Sequence, residues 1–336
     1  MKKKLLFAIF ALLPIFVMAD GVEIDGVNYL LVSKTKEAKV ISNENGYVGD
    51  IVIPETVDFE GEEYRVTSID DCAFIACIHL SSITIPNTVT SIGNMAFSRC
   101  KGLEKITIPN SVESIGMCAF ETCENLKSVI LPNKLSIISR SLFLDCKSLS
   151  SVNLPEGLTT IESHAFCNCM SLTTLDIPNT VNSIMSSAFM DTSISSIIIP
   201  INVSSVEINN CYQLKKATVG CNMRSFAMEN CPEIADVYCY AEKVPNASFK
   251  NSYIDNGTLH VPQSVIDEYK VSSPWSEFKN IIALTENDPN PYETTGITNV
   301  KLFKKNNGDY YNLNGQRISQ PFKGIYIYDG KKVIIK

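Results

Sequence analysis

The sequence predicts a mostly β solenoid. Parallel strands stack in 23-residue coils, with short helical and irregular segments between them, a cap at each end, and a small antiparallel β module after the array. Three ladders predict it. Pro86, Pro109, Pro132, Pro155 and Pro178 keep a 23-residue step, and Pro200 follows after 22. Phe74, Phe97, Phe120, Phe143, Phe166 and Phe189 keep the same step, as do Cys77, Cys100, Cys123, Cys146 and Cys169. A fixed period of this length marks a stack of units, none of which can bury its apolar side alone.

One unit runs Leu103 to Ile108 and Pro109, then Asn110 to Gly116, then Met117 to Cys123. Ile106 and Ile108 alternate with polar residues and form a short strand with one buried face. Pro109 has no amide to donate and ends that strand. Val112 and Ile115 return the chain along a second side, and Gly116 suits a tight corner. Ala119 and Phe120 plug the interior, and Cys123 is small and apolar enough to fill the next gap. Strands of successive units should run in parallel about 4.8 Å apart, so eight or so give one sheet roughly 35–40 Å long.

The pattern Leu-x-x-Ile-x-Ile-Pro-x-x-Val-x-x-Ile-Gly-x-x-Ala-Phe-x-x-Cys resembles the BspA-type leucine-rich repeat. It is most regular over residues 66–200 and weaker on both sides. The resemblance implies a leucine-rich-repeat solenoid in a secreted or surface-exposed protein of oral and gut anaerobes. Its implied work is binding an extracellular protein or glycan in adhesion to host or bacterial surfaces, without catalysis. A structural component of the cell envelope is the alternative.

The elements follow in order. Residues 1–19 read as a signal peptide: Lys2, Lys3 and Lys4, an apolar run from Leu5 to Met18, and a small-residue cut after Ala19. Residues 20–68 read as an N-terminal cap with a first irregular repeat. In it Pro54 and Phe74 lie 20 residues apart where Pro86 and Phe97 lie 11 apart. The insertion around Phe59 to Tyr64 is expected to form a hairpin that, with Val27 to Val32, covers the open sheet edge. Regular coils span 69–200 and shortened 20-residue coils span 201–240. In the latter Val206 and Phe226 stand five before Cys211 and Cys231, and Thr192 replaces the preceding ladder cysteine. Residues 241–284 resemble the family's terminal unit: the strand at Leu259 to Val261, a helix that Ser264 could cap, and a Trp275–Phe278 plug with Trp275 as core anchor.

Residues 285–296 read as a linker, and 297–336 as a β tail with hairpin signals at Asn314-Gly315 and Asp329-Gly330. The run Tyr311-Asn312-Leu313-Asn314-Gly315-Gln316-Arg317, then Lys323 to Ile327, looks like a type IX secretion sorting tail. That resemblance implies an export or surface-attachment signal.

Composition narrows the chemistry. The chain has 336 residues, 45% of them hydrophobic, and a formal net charge of −7. Without the three lysines of the first nineteen residues the balance is 26 basic to 36 acidic, or −10. Wholesale disorder and nucleic-acid binding are disfavoured. No stretch after the first nineteen residues reaches the roughly 18 apolar residues of a membrane helix. Of the twelve cysteines, the ladder members point the same way from stacked coils, which disfavours disulfides, so buried thiols are expected. Cys167-Asn168-Cys169 lacks a second pair for zinc. Asp288-Pro289-Asn290 lacks a calcium loop. His79, His164 and His260 lie in different units without ligand spacing. No catalytic residue, cofactor or metal is expected, and a monomer is.

The open face of the main sheet is the default binding surface. The period places Ser82, Lys105, Ser128, Ser151, Thr174 and Ser196 in one outward row. Thr84, Thr107, Ile130, Asn153, Asp176 and Ile198 form the next. Val237-Tyr238-Cys239-Tyr240 and the tail tyrosines are further candidate contacts.

Overall fold

The computed structural model describes residues 21–285, 288 and 290–292, and the backbone of four short strands in the tail. The signal-peptide reading of residues 1–19 lies outside the described residues, as does most of the linker.

Alternation of apolar and polar residues makes short strands, and the strand-ending prolines turn the chain at each coil. The main sheet collects one strand per coil. It includes Gly49–Val52, Leu80–Thr84, Lys105–Thr107, Ser128–Ile130, Ser151–Asn153, Ser196–Ile198, Lys216–Val219, Asp236–Cys239, Thr258–Val261 and Asn280–Ala283. Pairing is parallel wherever these strands meet. Another side carries Ser91–Ile92, Ser114–Ile115, Ile137–Ile138, Thr160–Ile161, Ser183–Ile184, Ser205–Asn209, Ser225–Glu229 and Asn246–Ser248, in three pieces with breaks after Ile115 and after Ile184.

The main sheet is not the continuous ribbon that an unbroken period predicts. It falls into pieces of two, three and five strands, with breaks before Lys105 and between Asn153 and Ser196. The coil at the second break contributes no strand over Thr174–Asp176.

The third side of each coil is a turn built around the plug. Phe74, Phe97, Phe120, Phe143, Phe166 and Phe189 have no exposed surface. They stack with centroids 5.1, 5.3, 5.7, 5.5 and 6.2 Å apart. Tyr47 closes the stack at its N-terminal end, 4.5 Å from Phe74. The plug amides pair with the next coil: Phe97 N–H donates to Ala119 O at 2.8 Å and Phe120 N–H to Leu142 O at 3.0 Å.

This ladder needs an unusual backbone. The residues two before and two after each plug have positive φ, among them Met95 (52°), Arg99 (63°) and Thr122 (57°). Each left-handed residue costs about 1 kcal/mol or more. Alternating the sign of φ turns every second amide along the solenoid axis, and the coil-to-coil hydrogen bonds offset the cost. In later coils the site two after the plug carries Asp145, Asn168, Asp191, Asn210, Asn230 and Asn251, types that tolerate this conformation. Their side chains form a ladder too. Asn230 Nδ2 donates to Asn210 Oδ1 at 2.7 Å, and Asn251 Nδ2 to Asn230 Oδ1 at 2.9 Å.

Both caps use local chemistry. Thr56–Phe59 and Glu62–Ile69 form an antiparallel hairpin, and Val22–Ile24, Val27–Val32 and Glu37–Val40 add strands to the same sheet. At the other end, Trp275 is buried among Phe226, Phe249, Tyr269 and Phe278 and donates Nε1–H to Pro245 O at 2.8 Å. Ser264 does not cap the helix Ile266–Val271. A 3₁₀ turn at Gln263–Val265 puts Val265 at the N-cap, with no side-chain hydrogen bond there.

Residues 285–336 form a separate compact unit. Its described strands make an antiparallel sheet in the order Arg317–Ile318, Tyr310–Tyr311, Gly324–Tyr328, Lys331–Ile335.

Candidate functional site

The two outward rows are in register across each piece of the main sheet. Lys105, Ser128 and Ser151 are paired neighbours, and so are Thr107, Ile130 and Asn153. Ser82 and Thr84 pair with Asp50 and Val52, and Ser82 Oγ donates to Asp50 Oδ1 at 2.6 Å. Thr174 and Asp176 lie in the strandless coil, exposed but unpaired. Ser196 and Ile198 begin the next piece.

Register carries both rows further than the 23-residue period did. The first continues through Lys216, Asp236, Thr258 and Asn280, and the second through Thr218, Tyr238, His260 and Ile282. The coil shortens to 20 residues after Ser196, so stepping by 20 from Ser196 and Ile198 would have found Lys216 and Thr218. The added residues change the chemistry of this end. Lys216 Nζ sits 4.3 Å from the Tyr238 ring centre. The Tyr238 and His260 rings stack at 4.1 Å, and His260 Nε2 lies 3.0 Å from Asp236 Oδ1. Tyr238 and His260 are only 9% and 8% exposed.

The break in the sheet forms a seam. Leu131 N–H donates at 2.9 Å to the side-chain Oδ1 of Asn153, whereas one coil earlier Ile108 N–H takes the main-chain oxygen of Ile130. The Asn153 side chain thus stands in for a backbone acceptor, and the strand ends there. The adjacent row position is Asp176, a poor strand former. Thr174, Leu175, Asp176 and Ile177 make no backbone hydrogen bond to either neighbouring coil. A cavity of about 520 Å³ opens at this place, lined among others by Ser151, Asn153, Glu156, Thr174, Asp176 and Asn179. Val152, Leu154 and Ile177 are half-buried there, while their counterparts Val129 and Leu131 are 2% and 1% exposed. The core is open to solvent at the seam.

The cysteine ladder lines the interior. Cys100, Cys123, Cys146 and Cys169 donate Sγ–H to the main-chain oxygens of Phe74, Phe97, Phe120 and Phe143 at 3.0 to 3.2 Å. Where cysteine is replaced, Ser252 Oγ donates to Met228 O of the preceding coil, while Thr192 Oγ1 donates to Phe189 O of its own. The ladder position asks for a small hydrogen-bond donor. All twelve cysteines are free thiols. Burial pushes the Cys100, Cys123, Cys146 and Cys169 thiols well up, and Cys167 to about 11. Cys221 alone is exposed, and Cys72 and Cys118 are intermediate. At neutral pH a thiol-disulfide dye should therefore label Cys221 fast, Cys72 and Cys118 slowly, and the others only in denaturant. More than three reactive thiols in the native protein would contradict this burial.

Among the described residues no group of three or more His, Cys, Asp or Glu side chains is arranged to hold a metal ion. None of the described helices is long and apolar enough to cross a membrane.

A family model for the BspA type leucine rich repeat region matches residues 55–157 and 137–255, in six copies. Among solved structures, the chain is similar to a leucine rich cell surface protein of Faecalibacterium prausnitzii. Identity is 19%, with 80% of this chain and 95% of that one covered and a TM-score of 0.44. A leucine-rich repeat protein of Bacteroides ovatus matches at 19% identity, 79% and 100% coverage and TM-score 0.41. The pneumococcal vaccine antigen PcpA matches at 14% identity, 79% and 99% coverage and TM-score 0.43. No curated protein matches the chain.

Proposed function

The chain belongs to the BspA-type leucine-rich repeat family, and from that premise we propose that it is an exported, surface-exposed binding protein whose main-sheet face engages an extracellular protein or glycan. The observation that carries this reading is the pair of outward rows, in register within each piece of the main sheet, that run from Asp50 and Val52 to Asn280 and Ile282. They offer small polar groups in the middle and the half-buried Lys216 and Asp236 toward the C-terminal end, where Thr218, Tyr238 and His260 are buried beneath them. The signal-peptide reading of residues 1–19 supports export, and no catalytic step is assigned. A second reading rests on the separate unit at 285–336: the tail sorts or anchors the protein, and the array serves envelope structure.

The test uses the mature chain against immobilised extracellular proteins and glycans. Binding should tolerate loss of any single polar side chain in the rows. It should fall at least about tenfold when two whole coils, residues 110–155, are removed, because contacts spread over many coils act together. No binding above background at high micromolar concentration overturns the reading. Cell fractionation after deletion of residues 297–336 tests the tail: surface retention that survives the deletion removes it as anchor.

A further inference from the structure

We propose that the seam between Asn153 and Ser196 is a strand-acceptor site, which takes an extended segment of a partner protein carrying a basic residue. This rests on the binding reading above and narrows it to a place, a mode and a partner chemistry.

Three observations converge. Hydrogen-bonding capacity is unused: the main-chain groups of Thr174 through Ile177 pair with neither neighbouring coil, and Ser151–Asn153 is paired only on its Ser128–Ile130 side. An unpaired strand edge is a template for another strand. Apolar surface is unused too. Val152, Leu154 and Ile177 face the interior in the coil pattern yet are half-exposed here. An incoming strand with alternating apolar side chains would cover them. Finally, the charge is one-sided. Glu156 and Asp176 are the charged side chains lining the cavity, and both are acidic. A Lys or Arg beside the added strand complements them. A glycan would use the polar groups but would leave the amide edges and the apolar surface unmatched.

The break before Lys105 also leaves two strand edges unpaired and Ile83 half-buried, but it lacks the strandless coil and the acidic lining, its row residue there being Lys105. Both segments flanking it, Leu80–Thr84 and Lys105–Thr107, remain extended strands. The cavity at the seam, about 520 Å³, has the volume of an ordinary ligand pocket.

The probe is an acetylated, amidated peptide, Lys-Thr-Val-Thr-Val-Thr-Lys, added to the mature chain and read by amide hydrogen exchange. At about 1 mM peptide, the amides of Val152 and Leu154 and of residues 174–177 should slow at least about tenfold, while those of Ile106 and Val129, already in the ladder, stay unchanged. A peptide with Glu at both ends, and one with Pro at its centre, should give no slowing. The variant Thr174→Ser, Leu175→Val, Asp176→Ile, Ile177→Leu gives this coil the residues of Ser128–Leu131. It should close the seam and abolish the peptide effect. Asp176→Lys, at an exposed position, should weaken the peptide at least about tenfold without touching the fold. Absence of slowing, equal slowing by the Glu-ended peptide, slowing by an oligosaccharide mixture instead, or protection from self-association each overturns the proposal. If the closed-seam variant still binds the extracellular partner of the intact chain, strand addition fails while the broader binding reading stands.

Discussion

Replacing Phe120 by Ala is expected to remove about 3–5 kcal/mol of stability and to split the unfolding of the array in two. Phe120 has no exposed surface, and its ring stacks on Phe97 at 5.3 Å and on Phe143 at 5.7 Å. Truncation leaves a cavity that the neighbouring coils cannot collapse into, because the ladder Phe120 N–H to Leu142 O holds them at fixed spacing. It also removes two stacked ring pairs, each worth about 0.5–1.5 kcal/mol beyond its buried area. In a solenoid stability is a sum of coil terms and nearest-neighbour terms, so a lesion in the middle weakens coupling on both sides at once. The chain has a single tryptophan, Trp275, at the C-terminal end. In urea, its fluorescence should report the C-terminal coils while circular dichroism reports the whole array. The two transitions should coincide in the wild type and separate in Phe120→Ala. Phe120→Leu, which keeps most of the volume but loses both ring pairs, should cost about 1–3 kcal/mol, less than Phe120→Ala, and separate the probes less. A loss below about 1 kcal/mol for Phe120→Ala would show that the aromatic ladder does not hold the coils together.

Much of this architecture can be read from spacing alone, because one residue type repeats at each structural position. Phe at 23-residue steps marks the interior stack. Cys at the same step marks the donor to the preceding plug carbonyl, and Pro marks the end of each strand. What spacing does not reveal is what depends on pairing between coils. The left-handed positions are occupied by residues as different as Met95, Arg99 and Thr122, so composition does not flag them. Tyr47 sits 27 residues before Phe74 in an irregular cap, and no ladder points to it. The seam is subtler. Asn153 and Asp176 look like ordinary outward polar residues, and only their adjacency in the row, two poor strand formers side by side, hints that the sheet stops there. The outward rows of the regular coils follow from the period. Their continuation to Tyr238 and His260 does not, because the coil shortens and the ladder loses its plug. Thus the end of the sheet where Lys216 lies over the buried Tyr238 and Asp236 meets the buried His260 is the part that a fixed period misses.

At the C-terminal end the expected result is a local collapse. Trp275→Ala should cost about 3–5 kcal/mol through lost packing. It also leaves the Pro245 carbonyl without its indole donor, a further penalty of about 1–3 kcal/mol where the group stays dry. Trp275 is 1% exposed and touches four rings, with Phe249 at 4.9 Å and Tyr269 at 5.3 Å meeting it edge to face. These rings come from separate segments, so the indole ties the helix Ile266–Val271 and the last plug residue, Phe278, to the shortened coils beneath. A terminal coil has a neighbour on one side only, so losing its anchor should free the end without uncoupling the middle. Native-state hydrogen exchange should show protection falling from Ser225 onward while Phe97, Phe120 and Phe143 keep theirs. Trp275→Phe separates the two contributions. It retains a ring in the cluster but has no N–H for Pro245, so its loss should fall near the hydrogen-bond share alone, about 1–3 kcal/mol. If Trp275→Phe is as damaging as Trp275→Ala, the Pro245 bond rather than the packing holds the cap. If protection falls uniformly along the array in Trp275→Ala, the coils unfold as one unit and the nearest-neighbour description does not apply to them.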